Sequence, residues 1–210
     1  MKFYTYFRSS ASFRVRIAIN LKKISPEQLF ISLPDNEHNA AFKDINPQGL
    51  LPTIKDGDFT LSQSLAIIHY LDATHPQPAF YPEDEKAKAV VLSMAHVIAC
   101  DIHPLNNLRV LKYLKSELGH DQDAVNKWYA HWVCEGFQAL EELVGQYGNT
   151  YYCFGDNITL ADICLVPQIW NAKRFNVNLD AFDTLTKIYG HLTSLSAFQQ
   201  ALPENQPDAF

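Results

Sequence analysis

Three serines lie between Ser9 and Ser12, where a strand pattern changes into a helix pattern. Residues 2–7 before them have the aromatic and β-branched composition of a short strand. Phe13 and Ile17 after them recur at helical spacing. Serine hydroxyls cap the N–H groups that the first turn of a helix leaves unpaired, and the same N–H groups with the helix dipole favour an anion. The junction therefore predicts an anion-binding site or, alternatively, a helix cap with no further role.

A thiolate is one anion that suits this junction, because a helix N-terminus lowers the pKa of a thiol. The stretch contains no cysteine, so the thiolate would have to belong to a bound molecule. A second junction of this kind lies at Gln63 and Ser64, just before Leu65, Ile68 and Leu71 on one helical face. The N-terminal part of the chain thus predicts two polar helix starts.

Composition excludes several classes of partner. The sequence has 210 residues, 47% of them hydrophobic, which fits a folded protein of one large or two small domains. Its formal net charge of -6 and the absence of a Lys/Arg block argue against nucleic-acid binding. No apolar run approaches the length of a membrane span, and no leader pattern is present. We expect a protein without nucleic-acid or membrane partners.

The four cysteines lack the close spacing of metal ligands. They are Cys100, Cys134, Cys153 and Cys164. We therefore expect no metal site, reduced thiols and a cytoplasmic location.

The first part of the chain predicts the order strand, helix, strand, helix, hairpin. The second strand is expected at residues 28–33, a short helix at 38–43, and the hairpin around an Asp56-Gly57 turn. Three prolines between residues 76 and 82 exclude regular structure and mark a domain boundary.

Beyond this boundary the pattern is helical, without strand alternation. Pro104 and Pro167 should kink or break the helices that contain them, and Gly119 and Gly148 are suited to helix ends. The expected helices span residues 84–118, 122–147, 159–176 and 184–195.

Two further patterns concern element ends. Thr159 followed by Asp162 is typical of a capping box, which serves folding rather than chemistry. The chain after Leu202 predicts a frayed terminus with no assigned role.

Five blocks of this sequence resemble cytosolic glutathione transferases, most closely the zeta class, which includes maleylacetoacetate and maleylpyruvate isomerases. The resemblance covers nearly the whole chain. The blocks are residues 9–18, 46–52, 63–68, 101–111 and 173–175.

The resemblance implies an α/β thioredoxin-like N-terminal domain followed by an all-α C-terminal domain. Their expected bounds are 1–75 for the glutathione-binding domain, 76–83 for the linker and 84–210 for the helical substrate domain. The resemblance also implies a homodimer, glutathione as cofactor and a small dicarboxylate as substrate.

Matching positions imply roles for individual residues. Ser9 corresponds to the serine that stabilises the glutathione thiolate, and Ala11 stands where the class usually has cysteine. The implied catalytic residues are Arg8, Ser9, His103, Asn107, Arg109 and Arg174. The implied glutathione contacts are Ser9, Ser10, Ala11, His38, Leu51, Pro52, Gln63, Ser64, His103, Asn107, Leu108 and Arg109. In this family the proline matching Pro52 is cis.

The cationic candidates agree with a substrate that has two carboxylates, because the guanidinium fork matches a carboxylate. Most arginines in proteins are solvated or form structural ion pairs, and we expect this for Arg14 and Arg16. His103 and Asn107 are four residues apart and should share a helix face.

The resemblance implies cis–trans isomerisation of a maleyl keto acid by addition and elimination of the glutathione thiolate. Arg8 and the missing cysteine slightly favour maleylpyruvate over maleylacetoacetate, without deciding between them. Two alternatives stay open: a general glutathione transferase that conjugates or dehalogenates, and a non-catalytic thioredoxin-like binding scaffold.

Overall fold

A computed structural model describes residues 1–31 and 42–209, which form two compact units. The first unit comprises Met1–Ala79 and Ser194–Phe210, and the second comprises Phe80–Thr193. Most of the helix expected at 38–43, including His38, lies outside the described residues, as does the end of the strand expected at 28–33.

The first unit contains a four-stranded mixed sheet. Its strands are β1 (Lys2–Thr5), β2 (Glu27–Phe30), β3 (Thr53–Asp56) and β4 (Phe59–Ser62), in the order β2-β1-β3-β4. β1 pairs in parallel with β2 and antiparallel with β3, which pairs antiparallel with β4. Gly57 supplies the positive φ of 59° in the hairpin turn. Among the described residues the two strands, the first helix and the hairpin follow the predicted order, and the thioredoxin-like fold is confirmed; the short helix expected at 38–43 is not tested.

Helices α1 (Ser10–Leu21) and α2 (Ser64–Thr74) pack in this unit. Phe13 and Ile17 on α1 and Leu71 on α2 are fully buried. Both helices therefore begin at the two serine-containing junctions that the sequence singles out.

The second unit consists of helices. Their bounds are α3 (Glu85–His96), a π-helical segment (Val97–Ile102), α4 (Leu108–Ser116), α5 (Gln122–Tyr147), α6 (Leu160–Arg174) and α7 (Asp183–Thr193). The all-helical prediction for this part is confirmed, and Gly119 and Gly148 follow helix ends as expected. Among the described residues, no helix is sufficiently long and apolar to traverse a bilayer.

The helical run expected at 84–118 is broken at Pro104, as predicted for this proline. The chain changes to π-helix at Val97, turns at residues 103–107 and resumes as α4. Pro104 has no N–H for the helical ladder and its ring clashes with the preceding turn. Gly136 allows the π-helical segment to pack closely against α5, because a Cβ atom at position 136 would come within 2.3 Å of the Ile102 side chain.

Pro167 behaves differently from Pro104. It is buried inside α6, which runs without interruption from Leu160 to Arg174, so no break occurs there. Tight packing of the surrounding helix face offsets the hydrogen bond that the proline cannot make.

The frayed terminus expected after Leu202 is wrong. A short helix α8 (Ser196–Gln199) and a 3₁₀ turn at Pro203–Asn205 belong to the first unit. Gln206 is buried, and its side-chain amide donates to the carbonyls of Gln200 and Leu202, both at 2.8 Å. The polar residues of this tail therefore form specific hydrogen bonds, which its composition alone does not indicate.

The capping box of α6 is confirmed. Asp162 is fully buried and accepts three hydrogen bonds: from the Cys153 N–H at 2.8 Å, the Thr159 N–H at 2.8 Å and the Thr159 hydroxyl at 2.9 Å. Burial nevertheless raises the pKa of this carboxyl. The interaction fixes the start of α6 to the loop before it.

Replacing Asp162 by alanine should lower the free energy of unfolding by about 3 kcal/mol, because buried donors lose their acceptor. Asp84→Ala is the matched control: the Asp84 side chain caps α3 at an exposed position, where it accepts from the Ala87 N–H at 2.9 Å. This variant should lose about 1 kcal/mol. Chemical denaturation measures both, and equal losses would contradict the structural role assigned to Asp162.

Candidate functional site

Ser9 is the N-cap of α1. Its Oγ accepts a hydrogen bond from the Ser12 N–H at 3.2 Å, and its carbonyl accepts the first helical bond from the Phe13 N–H. A hydroxyl has two lone pairs and one hydrogen. Because the helix uses the oxygen as an acceptor, the hydrogen can be donated to an anion. Capping and anion binding are therefore compatible in one side chain.

Arg8 precedes this cap and is exposed. Its guanidinium lies over the Phe7 ring at 4.9 Å from the centroid. A cation held next to the helix N-terminus adds positive potential where the dipole is already positive. The start of α1 therefore combines a hydroxyl donor and helical N–H groups with a cationic side chain one residue before the cap.

The start of α2 is the second polar junction. Gln63 has a φ of 72°, in the left-handed region that a non-glycine residue rarely adopts, and its amide donates to Gln48 Oε1 at 2.8 Å. Such strained backbone is typical of functional positions. Ser64 is buried and accepts a hydrogen bond from Arg14 Nη1 at 3.3 Å.

Arg14 and Arg16 are structural, as expected, but they are not solvated. Both are at most 3% exposed. Arg14 connects α1 with the first residue of α2, whereas Arg16 donates to main-chain carbonyls. Composition gave no sign of this burial, since arginine in a helix is normally exposed.

The loop before β3 contributes backbone groups. The Leu51-Pro52 peptide bond is cis, and both residues are buried. Asn46 stabilises this loop through two hydrogen bonds. Its side-chain amide donates to the Leu50 carbonyl at 2.7 Å and to Thr53 Oγ1 at 3.1 Å. Asn46 is a positioning residue that the sequence analysis did not single out, although its place before Pro47 is typical of a turn.

In the second unit the candidates at 103–109 lie in a turn and at the start of α4. His103 and Asn107 do not share a helix face, because residues 103–107 are not helical. Asn107 caps α4, with its Oδ1 accepting from the Arg109 N–H at 3.1 Å. Leu108 and Arg109 are exposed.

Tyr129 on α5 anchors both groups of candidates in this unit. The main-chain carbonyl of Tyr129 accepts a hydrogen bond from the side-chain amide of Asn106 at 3.2 Å, which attaches the turn at residues 103–107 to α5. Its ring stacks on Phe175 at 4.0 Å between centroids, and the Arg174 guanidinium lies 5.2 Å from the centre of that same ring. Burial raises the pKa of the Tyr129 hydroxyl, so this side chain stays protonated and uncharged near neutral pH.

All four cysteines are free thiols. Burial raises the pKa of Cys134, and raises that of Cys153 well above its ordinary value. These two thiols therefore stay protonated near neutral pH. Residues 1–31 and 42–209 contain no group of three or more potential metal ligands.

Comparisons with known proteins agree with this geometry. Residues 3–79 match the family model "Glutathione S-transferase, N-terminal domain". The chain is 46% identical over 209 residues to a probable maleylacetoacetate isomerase of Vibrio cholerae serotype O1, covering 98% of this chain and 97% of that protein.

Two solved structures resemble it over their full lengths. A holo maleyl pyruvate isomerase, described as a bacterial glutathione-S-transferase in the zeta class, superposes with a TM-score of 0.95 at 41% identity, covering 100% of both chains. A maleylacetoacetate isomerase from Methylobacterium extorquens AM1 with bound malonate and GSH gives a TM-score of 0.94 at 36% identity, again covering 100% of both chains. With its serine-capped α1 and polar α2 start, the chain belongs to the zeta class of the glutathione transferases.

Proposed function

We propose that this protein is a glutathione-dependent cis–trans isomerase that converts a maleyl keto acid into its fumaryl isomer in the catabolism of aromatic compounds. The observation that carries the proposal is the Ser9 cap, whose hydroxyl accepts from the helix and can donate to a sulfur anion. Relatives with the names of maleylacetoacetate and maleylpyruvate isomerases support the reaction type.

The residues of the first unit fit glutathione as cofactor. The starts of α1 and α2 suit two different anionic groups of the tripeptide, its thiolate and its γ-glutamyl carboxylate. Ser9 with the N–H groups of Ser10 and Ala11 would hold the first, and Gln63 with Ser64 the second. The buried backbone beside Leu51 and Pro52 would pair with the cysteinyl part as an added strand does.

When bound, glutathione supplies a nucleophilic thiolate that adds to the conjugated double bond and leaves again after rotation, so that it is regenerated. Ser9 lowers the pKa of that thiol by donating a hydrogen bond to the ionised form. Ala11 contributes only its N–H group, and no protein thiol is required at this position.

The protein must also hold the dicarboxylate and stabilise the negative charge that develops on its keto group. We assign the carboxylates to Arg8 and Arg174, with Asn107 as a neutral donor. Arg109 and His103 would complete the cationic environment. In this proposal the first domain binds the cofactor and the helical domain supplies most of the substrate contacts.

We further propose that the protein is a cytoplasmic homodimer. The free thiols suit a reducing compartment, and dimers are the usual assembly of the family that the sequence resembles. Light scattering after size exclusion tests the oligomeric state.

Replacing Ser9 by alanine should lower kcat about 100-fold, because one preorganised donor to the developing thiolate is lost. The pKa of bound glutathione, measured from thiolate absorbance, should rise at the same time. Ser9→Thr keeps the hydroxyl and should retain most activity, and the exposed Ser25→Ala serves as control. A Ser9→Ala enzyme of unchanged rate and thiol pKa would contradict the assigned role.

Arg174→Gln should raise KM for the dicarboxylate at least tenfold while leaving glutathione affinity within about twofold, since one carboxylate contact is lost. The neighbouring Lys173→Gln is the matched control, because Lys173 contacts the Tyr189 ring at 4.2 Å instead. Steady-state kinetics with each component varied separates the two constants. A similar KM increase in both variants would indicate a general loss of surface charge.

A spectrophotometric assay of maleylpyruvate and maleylacetoacetate, with and without glutathione, tests the reaction itself. We expect turnover of a maleyl keto acid only with glutathione and without net loss of its thiol, because the cofactor is released unchanged. Stoichiometric thiol loss would indicate a conjugating transferase, and absence of both binding and turnover would indicate a non-catalytic scaffold.

A further inference from the structure

The loop between β1 and α1 is held by the far end of the chain. The Phe7 N–H donates to Asp208 Oδ2 at 3.0 Å, a contact across 201 residues of sequence. Phe7 lies two residues before Ser9. The C-terminal tail therefore reaches the segment that presents Arg8 and Ser9.

The buried Arg16 also connects the C-terminal tail with the loop between β1 and α1. Its side chain is 3% exposed. Nε donates to the Ala201 carbonyl at 2.9 Å, Nη1 to the Tyr6 carbonyl at 3.3 Å, and Nη2 to the Phe7 carbonyl at 3.1 Å. One guanidinium thus joins the tail to two consecutive carbonyls of the loop.

The same loop closes on itself at Ser9. The Ser9 N–H donates to the Tyr6 carbonyl at 3.0 Å, the acceptor that Arg16 also contacts. The Tyr6–Phe7 segment and the backbone of Ser9 are therefore joined by a direct hydrogen bond. Burial of Arg16 lowers its pKa to about 9, an effect that Asp208 opposes, so the carboxylate also stabilises the charge of the buried guanidinium.

The tail has its own internal support. Gln206 is 5% exposed and donates to two carbonyls of the preceding helical turn. The Ala209 N–H donates to the Gln206 carbonyl at 3.1 Å. These hydrogen bonds attach the segment that carries Asp208 to the turn that follows α8.

We propose that Asp208, acting with Arg16, is a positioning residue for the catalytic loop: it fixes Phe7 so that the Ser9 hydroxyl stays aimed at the glutathione sulfur. Asp208 does not touch cofactor or substrate in this role. The inference rests on the proposed function, because it concerns the serine to which that function assigns thiolate stabilisation.

Asp208→Ala in the full-length enzyme removes the acceptor of the Phe7 N–H. We expect kcat to fall about tenfold, since a small misplacement of a catalytic group is costly, and the thiol pKa of bound glutathione to rise by about one unit. KM for the dicarboxylate should change less than twofold. Asp208→Asn keeps an acceptor oxygen and should recover most of the loss.

Glu204→Ala is the matched control, because Glu204 is an exposed carboxylate in the same tail. It should leave kcat and the thiol pKa unchanged. If Asp208→Ala behaves like this control, or lowers thermal stability without moving the thiol pKa, the proposal is overturned.

A double-mutant cycle with Ser9→Ala separates this inference from the function on which it rests. If Asp208 acts through Ser9, the Asp208→Ala effect on the thiol pKa should vanish in the Ser9→Ala background. Fully additive effects would overturn the positioning role while leaving the serine mechanism intact. If Ser9→Ala alone leaves the thiol pKa unchanged, it is the proposed function that fails.

Discussion

The N–H groups in the first turn of α1, for which an α-helix offers no internal acceptors, are the constraint on which the first unit depends. A helix that begins inside a folded domain must give these donors an acceptor. The Ser9 hydroxyl oxygen accepts from one of them, the Ser12 N–H. The hydroxyl hydrogen of Ser9 remains available to be donated to a bound anion. A carboxylate at this position would cap the helix equally well, but it would repel an incoming thiolate. The choice of a neutral hydroxyl is therefore what makes a structural requirement compatible with sulfur chemistry.

The sequence predicted those parts of the fold that depend on local patterns. Alternation and turn chemistry placed β3 and β4, helical spacing placed α1 and α2, and Thr159 with Asp162 marked the start of α6. Each of these signals lies within a few residues of the element that it specifies. Resemblance to a family added the candidate site residues, several of which single-sequence reasoning would assign to caps.

Long-range contacts account for what the sequence did not reveal. Nothing near Arg16 indicates that its partners include Ala201, and nothing in the polar tail indicates that Asp208 meets Phe7. The π-helical segment before Pro104 likewise packs closely against a glycine on another helix, Gly136, which the sequence around Pro104 does not reveal. Proline at 167 is tolerated because neighbouring residues bury it. In each case tertiary packing overrides a correct local tendency.

The division of the chain has a consequence for synthesis. The first unit takes its last elements from residues 194–210, and both Arg16 and Asn20 donate to carbonyls in that segment. The ribosome makes the strands of the mixed sheet first, whereas these acceptors follow the whole of the second unit. The first unit therefore cannot form its complete set of hydrogen bonds until residues 194–210 have been synthesised, after the whole of the second unit. Domains usually fold in order of synthesis, but here the first unit depends on a segment that is made after the second.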